Sequence, residues 1–180
     1  MPPAPAKAPQ RSSQSASALP EKHRLALLIG LAALALMEAF DSLSGVTLLF
    51  DNTIEIPGPG YSGYLAKAFL ATHPVLALTA LVFAAIGHMR GAILALAAIT
   101  FMALLNLMPS VVQHGFDLPG MSALMTSAQI VVFPLMAAGA IACAIGDQRL
   151  DLAVLLVSVP TLVNLVNVMA SALGVTIHGF

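Results

Sequence analysis

Five apolar runs, each long enough to cross a bilayer and separated by short polar connections, leave this 180-residue chain few ways to fold. A hydrocarbon layer about 30 Å thick is crossed by about 20 residues of helix, and no backbone group can be left without a partner inside it. The runs lie near 25 to 46, 61 to 87, 91 to 108, 121 to 145 and 150 to 173. They predict an all-α integral membrane protein with five transmembrane helices. Composition agrees, because 59% of the residues are apolar, 8% are charged and the mean hydropathy is +0.94. No soluble core of this size could hide that much apolar surface.

The first 23 residues are rich in Pro, Ala and Ser and have no periodicity, so a disordered tail is expected there. The run that follows has a possible secretory cleavage site at Ala33-Leu34-Ala35, but its apolar character continues to Phe50. A retained helix is the expectation. Lys7, Arg11, Lys22 and Arg24 in the tail lie on the same side as Arg90 and Arg149 in the tight connections, while the opposite loops contain no Lys or Arg. The positive-inside rule then gives a cytoplasmic N-terminus and an external C-terminus, in a bacterial inner membrane. Lys67 dissents, near the outer end of the second helix, where its stem can reach the interface.

A repeat of about 60 residues organises the rest. The segment 59 to 74 aligns without gaps on 119 to 134, matching Pro59 with Pro119, Gly60 with Gly120, Ala68 with Ala128 and Pro74 with Pro134. Further on, 100 to 110 matches 161 to 171, sharing Thr, Leu, Asn, Met and Ser in one register. The expected organisation is helix 1 with its outer loop (24 to 58), a first hairpin of helices 2 and 3 (59 to 118), and a second of helices 4 and 5 (119 to 180). Pro74 and Pro134 each free a backbone carbonyl one turn earlier, so matched kinks are expected. Helix 1 carries a partial third copy, in which Glu38 takes the place of Asn106 and Asn167.

Those three helices run the same way, so Glu38, Asn106 and Asn167 are expected at one depth, roughly 20 to 26 Å from the cytoplasmic ends. Asp41 and Asn164 extend the polar stripe at a spacing of three, and Gln129 descends from the other side to nearly the same level. Ser42, Ser110 and Ser171 follow one turn later on the same faces. Two readings of the amides stand side by side: interhelical hydrogen bonding, worth on average about 0.6 kcal/mol each, or a pocket. Glu38 differs, because a carboxylate at that depth costs at least a few kcal/mol unless it is neutral, paired or wetted. No Lys or Arg reaches it, so water or neutralisation is the expectation.

His73, His114 and His178 all fall on the outer side and are weak candidate ligands for zinc or copper, with Asp51 or Asp117. A transmembrane haem wants two axial ligands at one level, which His73 and His114 supply only if the outer loop folds inward. His88 stands alone on the inside and His23 belongs to the tail. Cys143, the single cysteine, excludes an intrachain disulfide and a multi-thiolate metal site. With 7 Lys+Arg against 8 Asp+Glu, nothing offers a face to nucleic acid.

Three functions fit these residues. The first is a proton- or cation-coupled transporter or channel for a small polar solute, with Glu38, Asp41, Asn106, Gln129, Asn164 and Asn167 forming the pocket. The second is a non-catalytic subunit or assembly factor whose polar stripes dock a partner helix or a second copy. The third is a periplasm-facing redox module using the outer histidines with a metal, haem or quinone. No catalytic motif is present in the sequence, and its cofactor, if any, is not legible.

Overall fold

The computed structural model describes residues 20–50, 61–116, 118, 122–146 and 149–173. Within them every element is helical: α1 (Glu21–Phe50), α2 (Tyr61–Ala85), α3 (Met89–His114), α4 (Ala123–Ser127), a π-helical turn (Ala128–Val132), α5 (Phe133–Ile145) and α6 (Leu150–Ala172). Five spans are long and apolar enough to cross a membrane, with α4, the π turn and α5 making up the fourth. Helix α1 begins at Glu21, so residues 21 to 23, expected within the tail, form its first turn. The rest of the tail, the loop at 51 to 60 and His178 lie outside the described residues.

Helices α2 and α3 pack as a hairpin, as do α5 and α6, and α3 touches α1, α2, α5 and α6. The reason α3 takes the centre is its GAILALAAI segment (91–99), apolar on all faces and rich in small side chains. Ala92, Ala95 and Ala97 let neighbouring backbones approach, while Ile93 and Leu96 fill the space between them. Ala35, Ala77, Ala80, Ala137, Ala140 and Ala153 meet them from the other helices, all fully buried. The large apolar side chains point the other way: Ile29, Phe40, Val75, Val82, Leu135 and Leu155 are exposed around the perimeter. That is the arrangement expected when the surrounding medium is itself apolar.

The turn between α2 and α3 is set by Gly87. The His88 N–H donates to the Phe83 carbonyl at 2.8 Å and the Gly87 N–H to the Ala84 carbonyl at 3.1 Å. This is the Schellman closure, which requires a left-handed residue, and Gly87 supplies it with φ of 78°. The Arg24 guanidinium of α1 donates to the Gly87 carbonyl at 3.1 Å, bringing the start of α1 to the same end of the bundle. We call this the near end, and the one where α1 and α3 finish and α2 begins the far end.

Prolines produce different outcomes at matched places. Pro74 sits inside an uninterrupted α2, whereas Pro134 directly follows the π turn. A proline lacks the N–H that would bond the carbonyl four residues earlier, and a widened turn is one way to absorb that loss. Helix α3 also runs on through Pro109 to His114, past the end expected at 108. The Ser122 hydroxyl caps α4 by accepting from the Met125 N–H at 3.1 Å.

Candidate functional site

Glu38, Asn106 and Asn167 each lie 17 residues after the first residue of their helix, Glu21, Met89 and Leu150. At 1.5 Å per residue all three stand about 25 Å from the near end. They line one cavity of about 220 Å³ in the far half of the bundle, together with Asp41, Gln129 and Asn164. The structure therefore brings all six polar residues of the sequence-derived pocket to one chamber. It has room for about seven waters at about 30 Å³ each, or one small solute.

The chamber's deepest feature is a pair the sequence did not announce. His73 Nε2 of α2 lies 2.8 Å from Glu38 Oε2 of α1, and each side chain is only 7% exposed. One proton lies between these atoms, whichever of them holds it. The expectation that Glu38 stands without a partner is thus corrected: its partner is a histidine, not a Lys or Arg. A signal existed, because Glu38 is 12 residues before the end of α1 and His73 is 12 after the start of α2. In antiparallel neighbours equal counts from the shared end mean equal depth. Phe69, one turn earlier on α2, stacks on the His73 ring with centroids 4.8 Å apart, which holds the imidazole toward α1.

On the opposite wall the π turn carries Gln129, whose Nε2 donates to Asn164 Oδ1 at 3.4 Å. Asn167 Nδ2 reaches only Met125 Sδ, at 3.9 Å, a weak acceptor. The side chains of Asn106 and Asp41 have no hydrogen-bond partner among the described residues. Asn106 is exposed at the rim and Asp41 half-buried. Ser42 spends its hydroxyl on the Ala39 carbonyl of its own helix at 2.9 Å and does not line the chamber. Among the described residues no Lys or Arg lines it either.

The histidines separate. His73 belongs to the chamber, His114 is exposed at the end of α3 and lines none of it, and His88 leans on Phe83 near the other end. His73 and His114 do not share a metal-ligating group among the described residues, and Asp51, Asp117 and His178, the other candidate ligands, lie outside them. Among the described residues, the group able to offer three metal-ligating atoms is Glu38, Asp41 and His73, all within 4.8 Å of one another.

Five pairs of positions that the sequence alignment sets side by side both contribute to the lining of the chamber. Phe69 and Gln129, His73 and Phe133, Ala103 and Asn164, Asn106 and Asn167, and Leu107 and Val168 are aligned pairs of which both members line it. Toward the near end it gives way to packed Leu31, Ala80, Ile93, Leu96, Ala140 and Val157.

Compared with models of known protein families, with curated proteins and with solved structures, the chain shows no match. The fold and the site define its class: a multi-pass helical membrane protein with a polar chamber in one half of the bundle.

Proposed function

We propose that this protein takes a small polar solute or cation into the chamber as a transporter-type carrier, loading it from the far end. The observation that carries this reading is the buried Glu38–His73 pair opening onto a cavity lined by four amides. Amides serving only as interhelical hydrogen bonds are expected to meet one another closely across helices. Here Asn106 has no partner among the described residues and Asn167 has a thioether. Of the two forms of coupling, the cluster of two carboxylates and an imidazole favours a cation. Release to the near side requires the packed apolar layer to part, and paired hairpins hinged at Pro74 and Pro134 supply the moving units. The in-register lining residues support an internal duplication as the origin of those hairpins. Lys22, Arg24, Arg90 and Arg149 at the near end support a cytoplasmic N-terminus in an inner membrane, which makes the far end external.

Exposed Asn106 on the rim favours a second reading, a subunit that docks a partner helix on this face. One experiment separates the two. In an Asn106→Cys variant with the native thiol removed by Cys143→Ala, a membrane-impermeant thiol reagent is expected to label intact cells rapidly. An inserted, folded variant that stays unlabelled would mean that water does not reach the chamber from outside, and the carrier reading would fall.

A further inference from the structure

We propose that Glu38, Asp41 and His73 bind a divalent first-row transition-metal ion at the head of the chamber. This rests on the chamber reading above and narrows its cargo. His73 Nε2 and Glu38 Oε2 are 2.8 Å apart. Two donors at that separation, each about 2.1 Å from an ion, subtend about 84° at it, close to an octahedral edge. The farthest donor pair lies within 4.8 Å. Two ligands of one ion can be at most about 4.2 Å apart at these bond lengths, so Asp41 closes in by roughly 0.6 Å or binds through a water.

Charge and donor type agree with the geometry. Two carboxylates and a neutral imidazole carry two negative charges, which a dication cancels, and among the described residues no Lys or Arg lines the chamber to compete. An uncancelled pair of charges in apolar surroundings is costly, so the site favours an ion of that valence. Calcium and magnesium prefer all-oxygen sites, whereas imidazole nitrogen draws zinc, copper, iron and nickel. Phe69 stacks on the His73 ring and limits its rotation. Nε2 ligates only without its hydrogen, so as the ion enters the hydrogen between Nε2 and Oε2 shifts to Nδ1 of a neutral ring, or leaves to water from a pair that holds one proton more.

The test is a titration of chelator-treated, full-length protein in lipid nanodiscs with cobalt(II), followed by visible absorption. One cobalt per chain is expected, displaced by zinc but not by equal calcium or magnesium. His73→Gln and Glu38→Gln are expected to weaken binding by about 100-fold or more, Asp41→Asn by about tenfold, and His114→Gln not at all. The wild-type titration decides the matter even if a buried variant fails to insert. Absence of cobalt binding in wild-type protein, or binding that survives both Gln variants, overturns the proposal. With Asn106→Cys labelled from outside, that failure removes the metal and leaves the chamber; without labelling, both readings fall.

Discussion

His73→Ala is expected to destabilise the bundle by about 3–5 kcal/mol in equilibrium unfolding from detergent, the range for removing one member of a buried pair. It leaves a carboxylate only 7% exposed without its partner at 2.8 Å. Glu38→Ala is expected to lose less, about 1–3 kcal/mol, because an imidazole can lie buried without a charge and then forfeits one hydrogen bond. The double variant Glu38→Leu/His73→Leu should recover most of the loss, since apolar side chains of similar volume make no demand for solvation in that setting. The losses of the single variants Glu38→Leu and His73→Leu should therefore together exceed the loss of the double variant by more than about 1 kcal/mol. Additivity within about 0.5 kcal/mol would show that the two groups do not interact. The same double variant separates stability from function, because it is expected to fold and yet to bind no cobalt.

The second large effect is expected at Gly91, in the first turn of α3. A Cβ there would lie 2.6 Å from His88 Cδ2 and 2.7 Å from Phe83 Cγ and Cδ2. The exposed His88 ring can swing away. Phe83 cannot, because the contact includes the atom at the root of its ring and the ring is half-buried between α2 and α3. Gly91→Leu is therefore expected to lose about 3 kcal/mol by prising the hairpin apart, the upper end of ordinary overpacking. Gly30→Ala should move the other way. Its added Cβ meets nothing within 4 Å, and the residue is exposed within α1. A gain of up to about 1 kcal/mol follows from helix propensity alone. Equal effects at the two glycines in the same unfolding assay would contradict this account of the hairpin.

These expectations differ in how far the sequence anticipates them. The level shared by Glu38, Asn106 and Asn167 is readable from residue counts, because a helix rises by a fixed amount per residue and the bilayer fixes where helices begin. Gln129 is readable in the same way from the opposite end. The partner of Glu38 is not legible from the positions of Lys and Arg, because an imidazole can meet a carboxylate as well as an ammonium can. Proline positions also misled in part. Pro74 and Pro134 are matched in sequence, yet only the second follows a π turn, and α3 passes through Pro109 without ending. What a missing N–H does depends on which neighbours can satisfy or shield the freed carbonyl, and those neighbours come from other helices.

The sequence by itself determined that the chain is a five-span helical membrane protein, where those spans lie, and which polar residues share a depth. These are properties of one helix in one solvent. Hydropathy and rise per residue act along the chain, so they can be counted without knowing what packs where. Only the tertiary structure decided which faces meet: that α3 takes the centre, that His73 reaches Glu38 across α1 and α2, and that the amides surround a cavity above a packed apolar layer. In a bilayer the apolar side chains gain little by turning inward, since lipid receives them equally well. Helix rotation and neighbour choice are then set by close contact between small residues and by a few polar partners. That information resides in pairs of residues far apart in the chain.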